Sequence, residues 1–238
     1  MCCRLLVPKR NSKKPRMNEF DLTTAVEKVV RDRKTIKLLA DSPIDSTVET
    51  EVMESIVACA GFAPFHLAAA VVHRERVDNE TLVPWRFYMV DKENCSKLRN
   101  AILESGDVTK VPNMLAAASC LIQVTWCPDP PEEGFEVSEE SRFQPTEANM
   151  EHIAATAAAV QNLLLAATAR NINTYWSSGG VLKTKWAFDK MGIPDDQILL
   201  GSVFVFPDPS IDQSIDSKPG KMRDKRGEDS HWSRWVSV

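Results

Sequence analysis

Glycine is scarce in this chain of 238 residues, which contains nine. None of the nine forms a G-x-G-x-x-G or a G-x-x-x-x-G-K-[ST] motif, so neither a Rossmann dinucleotide site nor a P-loop is supported. The G-x-S-x-G elbow of α/β-hydrolases is missing too. If a phosphate-bearing ligand binds here, cationic side chains must hold it.

Patterns that would indicate a metal site or a secreted protein are also missing. The six cysteines include no C-x-x-C pair, and the four histidines show no metal-ligand spacing near them. We therefore expect no metal site. Because the chain has no secretory hydrophobic segment, we expect a cytoplasmic protein with reduced thiols.

Acidic residues are absent from the first 17 residues, which carry six basic ones. Since the net charge is −4, residues 18–238 carry −10. A body this acidic is a poor general binder of nucleic acid, whose affinity comes from neutralised phosphates. We interpret residues 1–17 as a disordered leader, dispensable for folding, ahead of one domain over residues 18–238. Organelle targeting by this leader stays open.

Residues 153–169 contain no charged side chain. The run includes Thr156 and Gln161 and is shorter than the ~20 apolar residues that a bilayer requires. We predict a long buried central helix over about 146–170, and no membrane span. Its many alanines would let a second helix approach closely, which is a first indication of a subunit interface.

Hydrophobic periodicity and turn residues predict the other elements. Helices are expected over residues 21–33, from a capping-box pattern at 46–49 to about 61, over 92–104 and over 181–190. Strands are expected over residues 85–90, 121–126, 172–176 and 198–206. Residues 67–83 are interpreted as irregular and 128–134 as a loop, and the tail after Pro207 is polar. The predicted fold class is α+β, with helices flanking a mixed sheet.

Two basic clusters are the candidates for holding a phosphate. The first places three cations and a hydroxyl in five residues, Arg33, Lys34, Thr35, Ile36 and Lys37. In extended backbone its alternate residues would point to one side, and such groups suit a phosphomonoester dianion. The second cluster, Lys221 and Arg223, lies in the tail. On composition alone, both clusters are typical of solvated charge runs.

The order of several short elements resembles the nitroreductase family. Residues 33–37 (R-K-T-I-K) resemble its R-R-[ST]-x-R element, and residues 63–66 (A-P-F-H) and 84–87 (P-W-R-F) resemble its A-P-x-H and P-W-R-F elements. Residues 176–179 (W-S-S-G) resemble the W-R-S-G element of the compact bacterial branch, and Lys221 with Arg223 fall where a terminal K-x-R is common. The combination, which covers about residues 20–225, carries the resemblance.

The resemblance implies a homodimer that holds FMN at the subunit interface and uses NAD(P)H as reductant. Flavin N5 would carry the chemistry, so no catalytic side chain is assigned. An electron-poor small molecule, such as a nitroaromatic compound or a quinone, would be reduced in ping-pong fashion. The implied cofactor contacts are Arg33, Lys34, Thr35, Lys37, His66, Trp176, Ser177, Ser178, Gly179, Lys221 and Arg223.

The chain departs from the family pattern at several places. Residues 67–83 separate the A-P-x-H and P-W-R-F elements, which lie a few residues apart in the family, and Val83 stands where glutamine is frequent. Lys34 and Lys37 replace arginines, and Ser177 replaces the arginine of W-R-S-G. Two other functions therefore stay open: a flavin-free binding or regulatory protein, and a different flavin reaction such as reductive dehalogenation.

Overall fold

The computed structural model describes residues 19–74, 81–106, 108–138, 141–211, 215–229 and 232–237, so the predicted leader lies outside the described residues. The helices are α1 (Glu19–Asp32), α2 (Thr50–Ala60), α3 (Val71–Arg74), α4 (Lys92–Glu104), α5 (Val111–Ala117), α6 (Glu147–Thr168) and α7 (Lys185–Met191). The strands are β1 (Ile36–Leu39), β2 (Trp85–Asp91), β3 (Cys120–Trp126), β4 (Asn173–Ser177), β5 (Ile198–Phe206) and β6 (Asp216–Pro219). Short 3-10 turns lie at Gly180–Lys183, Pro209–Ile211 and Arg223–Lys225.

Four strands form the central sheet in the order β2-β3-β5-β4, and β1 pairs with β6 in a separate two-stranded sheet. The predicted α+β class is confirmed. Throughout the described part of the chain the strand pairs are antiparallel, so the sheet is antiparallel rather than mixed. Whether two strands pair in parallel or antiparallel depends on contacts between residues far apart in sequence. Local hydrophobic periodicity does not report such contacts.

The two faces of the central sheet carry two separate hydrophobic layers, because successive side chains of a strand point to opposite faces. On one face, Ile122 and Val203 pack with residues of α2 and α6. On the other face, Leu121 and Phe204 pack with residues of α4, α5 and β1. The sheet is therefore covered on both sides.

Helix α6 confirms the predicted long central helix. The hydroxyl of Thr146 caps its first turn by accepting a hydrogen bond from the Asn149 N–H at 3.2 Å. Ten of its 22 residues are buried, among them Ala159 and Leu163 at 0% exposure. Part of the remaining surface is left open, since Ala154 and Gln161 are exposed.

The predicted start of α2 is wrong. The helix begins at Thr50 rather than at the capping-box pattern of residues 46–49, and its N-cap residue Glu49 makes no capping hydrogen bond through its side chain. Instead, the Val48 N–H donates to the hydroxyl of Ser119 at 3.0 Å. A tertiary contact therefore holds this segment, and sequence-local capping rules do not report such a contact.

Three further elements differ from the sequence predictions. The irregular stretch 67–83 contains the short helix α3, and residues 75–80 lie outside the described residues. Helix α5 was not predicted, because most of its seven residues are buried and it lacks the alternation of polar and apolar faces that identifies a helix. The polar tail contains a strand that was not predicted, β6, which pairs with β1 of its own chain.

An apolar groove runs between α1, the end of α2 and α6, and is called here the α1–α6 groove. It encloses a cavity of about 470 Å³. Side chains on its walls are strongly exposed, with Phe62 at 86% and Val26 at 55%. Apolar side chains line most of it, namely Ala25, Val26, Val29, Val30, Cys59, Phe62, Leu165, Ala166 and Ala169.

Among the described helices, none combines the length and apolar character that a membrane span requires. The cysteines of the described ranges, Cys59, Cys95, Cys120 and Cys127, are free thiols. Burial raises the pKa of Cys120 to about 12, so this thiol stays protonated and unreactive at neutral pH.

Gly201 of β5 lies under the indole ring of Trp176. A Cβ atom at position 201 would lie 2.1 Å from Nε1 of Trp176 and 2.7 Å from the carbonyl oxygen of Ser177. We expect Gly201→Ala to displace the end of β4 and to lower the free energy of unfolding by about 1–3 kcal/mol. Urea denaturation followed by circular dichroism measures the change.

Gly61→Ala is the matched control for this substitution. Gly61 has a φ of −62°, and a Cβ atom there would meet nothing nearer than 3.3 Å. Its loss of stability should be much smaller. Equal losses in the two variants would contradict the close packing of Trp176 on Gly201.

Candidate functional site

Pairing of β6 with β1 brings the two basic clusters together. Ile36 lies opposite Pro219 in this pair, and the N–H of Gly220 donates to the carbonyl oxygen of Thr35 at 2.8 Å. A Cβ atom at Gly220 would lie 3.1 Å from Cβ of Thr35, so glycine lets the tail approach closely. The residues that follow, including Arg223, therefore come to lie beside Arg33.

Arg33 and Arg223 form the centre of the site and are called here the arginine pair. Nη1 of Arg223 donates to the carbonyl oxygen of Arg33 at 2.6 Å, and Nη2 donates to the carbonyl oxygen of Arg31. Burial, and then the charge of Arg223, lowers the pKa of the Arg33 guanidinium. Within the described ranges, neither member of the pair forms an ion pair with a carboxylate. Two such neighbouring cations favour a bound anion.

The predicted site also includes three lysines that lie close in sequence to Arg33 or to Arg223. Lys34 is exposed and borders a cavity of about 320 Å³ that also contacts Asn171 and Asn173. The ammonium of Lys37 lies 4.5 Å from the centre of the Tyr175 ring. Lys221 is exposed. Of the first cluster, Lys37 lies within β1, whereas Arg33 and Thr35 precede the strand.

Strand β4 leads from the arginine pair to the W-S-S-G segment. Its first residue, Asn173, borders the same cavity as Lys34 and Ile36. Because a strand rises about 3.3 Å per residue, the four steps from Asn173 to Ser177 span about 13 Å. Trp176, which is half-buried, lies over Gly201 at the far end. The fold thus places a cationic site and an indole ring near opposite ends of one strand.

Beyond Trp176 the backbone makes a turn that requires glycine. Gly179 has a φ of +99° and Gly180 a φ of +58°, which are values that other residues rarely adopt. A Cβ atom at Gly179 would also lie 2.6 Å from Cδ2 of Leu199. The hydroxyl of Ser177 accepts a hydrogen bond from the Gly179 N–H at 3.2 Å. Ser178 and Gly180 are exposed and accessible to a ligand.

His66 is not brought to the arginine pair by the described contacts. It is exposed in the loop after α2, and no hydrogen bond or ion pair joins it to another described residue. Its neighbour Phe65 packs edge-on against Trp85, with ring centres 5.8 Å apart. Trp85 itself is buried at 6% exposure and therefore serves as a packing residue.

A buried arginine that was not singled out from the sequence organises the P-W-R-F element. Arg86 is 6% exposed, and its guanidinium donates to the carbonyl oxygens of Val83, Trp85 and His73, each at 2.8 Å. His73 in turn has its Nε2 at 2.8 Å from the carbonyl oxygen of Pro128. Arg86 therefore ties the inserted stretch to the sheet. The sequence signal for this buried structural role was an arginine placed among the apolar residues of a predicted strand.

A polar pair beneath the glycine turn was also missed. Gln123 of β3 and Ser202 of β5 are 0% exposed and lie opposite one another in the sheet. A glutamine inside the apolar run of residues 121–126 was the available signal, because buried polar groups require partners.

The described residues offer an anion site and an aromatic surface rather than a set of acid–base or metal-binding groups. In the described ranges, no three His, Cys, Asp or Glu side chains come together to form a candidate metal site. The arginine pair suits a phosphate group, and the turn after Trp176 offers backbone groups and an indole to a planar ring. This arrangement fits a phosphorylated aromatic cofactor.

Comparisons with known proteins find similarity in sequence and in fold. The sequence model described as "Nitroreductase family" matches residues 30–205. A nitroreductase-like family protein from Bacillus cereus superposes with a TM-score of 0.60 at 19% identity, over 90% of this chain and 96% of that one. No curated protein sequence matches this chain.

Two solved structures with FMN share the fold. A nitroreductase with bound FMN from Desulfitobacterium hafniense DCB-2 superposes with a TM-score of 0.51 at 16% identity, over 93% of this chain and 100% of that one. A protein from Desulfovibrio desulfuricans, described as a nitroreductase in complex with FMN, has a TM-score of 0.51 at 18% identity, over 86% of this chain and 96% of that one.

Proposed function

Because the chain belongs to the nitroreductase family, we propose that it is an FMN-dependent oxidoreductase that uses NAD(P)H as reductant. The observation that carries the proposal is the arginine pair. In this pair the guanidinium of Arg223 is hydrogen-bonded to the backbone of Arg33, its charge lowers the pKa of the Arg33 guanidinium, and neither arginine has a described carboxylate partner. Proteins of the same fold hold FMN, whose phosphate is an anion of the kind this pair would bind.

The chain's own residues fit such a cofactor. Arg33 and Arg223 would bind the phosphate through charge-assisted hydrogen bonds, with the Thr35 hydroxyl beside them. The ring system would extend along β4 toward Trp176. There the exposed Ser178 and its neighbours would present backbone groups to the ring edge.

The protein's part in the reaction is to bind the cofactor and to orient its ring. When bound, FMN would accept a hydride from NAD(P)H and pass the reducing equivalents to an electron-poor acceptor such as a nitroaromatic compound or a quinone. Trp176 and the turn after it would keep the ring in one orientation, and anchoring of the phosphate would keep it in place. Because reductant and acceptor would occupy the same position in turn, we expect ping-pong kinetics.

Arg33→Ala tests the phosphate site. One charge-assisted hydrogen bond contributes about 1.5–3 kcal/mol, so we expect FMN affinity to fall roughly ten- to a hundredfold. Quenching of FMN fluorescence during titration of the FMN-free protein measures the dissociation constant.

Arg31→Ala is the matched control, because the Arg31 side chain pairs with Glu27 on the exposed face of α1. It removes the same charge two residues away and should leave FMN affinity nearly unchanged. Unchanged affinity in Arg33→Ala, or equal losses in both variants, would remove the assignment.

We also propose that the active unit is a homodimer in which the α1–α6 groove is covered by a second copy. The groove is lined almost entirely by apolar side chains, and Val26, Val30 and Phe62 stand at least half exposed. Exposed apolar patches of this kind are typical of interfaces. The open face of α6 borders the same groove, which adds small side chains that a neighbouring helix could approach closely.

Val26→Glu tests the dimer by placing a charge in this groove. We expect light scattering to show a dimer for the unsubstituted protein at micromolar concentration and a monomer for the variant, which should also lose flavin. Val108→Glu is the control, since Val108 is 97% exposed away from the groove. An unsubstituted protein that is monomeric and still binds FMN tightly would contradict the shared interface.

A further inference from the structure

A buried polar network crosses the sheet beneath the glycine turn. The hydroxyl of Ser202 donates to Oε1 of Gln123, and Nε2 of Gln123 donates to the carbonyl oxygen of Leu182 at 3.1 Å. A carbonyl oxygen accepts hydrogen bonds and cannot donate them, so the amide nitrogen must face Leu182 and the amide oxygen must face Ser202. The orientation of Gln123 is therefore fixed by its partners.

This network lies against the turn from Gly179 to Leu182 at both ends. At one end, Gly179 lies directly over Ser202, since a Cβ atom at position 179 would be 3.4 Å from Oγ of Ser202. At the other end, Leu182 donates its N–H to the carbonyl oxygen of Gly179 at 3.1 Å and has its own carbonyl held by Gln123. The turn is thus hydrogen-bonded to Gln123 of β3 and lies close to Ser202 of β5.

A glutamine at this position supplies hydrogen bonds that an apolar side chain could not make. Gln123 is 0% exposed and lies in a strand whose seven residues are all buried. A buried amide is costly unless its polar atoms are paired. An apolar residue would pack equally well in the sheet, but it would leave the carbonyl of Leu182 and the hydroxyl of Ser202 without these partners.

We infer that Gln123 and Ser202 are positioning residues that hold the Gly179–Gly180 turn in register with the ring edge of a bound flavin. This inference rests on the proposed function, because the ring edge is placed by the FMN proposal. Both side chains are 0% exposed, so neither would touch the cofactor. Both act through the backbone of the turn, whose positive φ angles make it easy to distort once its support is removed.

The chain supplies a matched control in a second buried glutamine. Gln197 is 2% exposed, and its Oε1 accepts hydrogen bonds from the hydroxyls of Tyr88 and Thr125. The side chain of Gln197 therefore has two hydrogen-bond partners, the same number as that of Gln123. Its side chain makes no described hydrogen bond to residues 176–183, so its loss should affect stability without moving the turn.

The experiment compares Gln123→Met with Gln197→Met, because methionine retains most of the side-chain volume and removes the amide. Three quantities are measured for each: the dissociation constant for FMN, the visible spectrum of the bound flavin, and hydrogen exchange of residues 177–184 in the FMN-free protein. Melting temperatures report the general loss of stability. If Gln123→Met does not fold, the same quantities are measured for Ser202→Ala, which is a milder change in the same network.

We expect Gln123→Met to weaken FMN binding about tenfold or more, which corresponds to the loss of one well-placed hydrogen bond. Its bound flavin should show shifted absorption bands, and residues 177–184 should exchange faster. Gln197→Met should lose comparable thermal stability while its FMN dissociation constant changes by less than about twofold.

Two outcomes would overturn the inference. One is that Gln123→Met binds FMN as tightly as the unsubstituted protein, with an unchanged spectrum. The other is that both glutamine variants weaken FMN binding in proportion to their loss of melting temperature. If the unsubstituted protein itself binds no FMN, the proposed function fails first. If it binds FMN and Gln123→Met binds equally well, the positioning role alone fails.

Discussion

The pairing of β6 with β1 is the interaction on which the candidate site depends. Arg223 follows Arg33 by 190 residues, and the hydrogen bonds around Thr35 and Gly220 bring them together. All four residues of β6 are exposed, so little hydrophobic burial holds the tail. A phosphate between the two arginines would relieve their repulsion, and cofactor binding and docking of the tail would then stabilise each other.

At the far end of β4, close backbone packing rather than charge determines the geometry. Gly201 makes room for the indole of Trp176, and Gly179 fits against Leu199 in a conformation that other residues rarely adopt. The polar contacts of Gln123 then attach the turn to the sheet. The proposed cofactor would therefore extend from a charged site near one end of β4 to a tightly packed turn beyond its other end.

Sequence patterns predicted the helices and strands that are identified by their own composition and periodicity. The uncharged run predicted α6, and the strand over residues 198–206 was predicted with the bounds of β5. Strand β6 was missed because it is exposed and polar, and its pairing with β1 is a tertiary contact. The meeting of Arg33 with Arg223 was anticipated through the family resemblance, whereas the role of Gln123 depends on contacts across strands that periodicity does not encode.

The visible absorption spectrum of the purified protein tests the central claim most directly. The account predicts flavin absorption bands that bleach when NAD(P)H is added without oxygen, and release of free FMN when the protein is heated. A colourless protein that takes up no FMN after incubation with an excess of it would contradict the account. That result would favour a flavin-free binding or regulatory protein on the same fold.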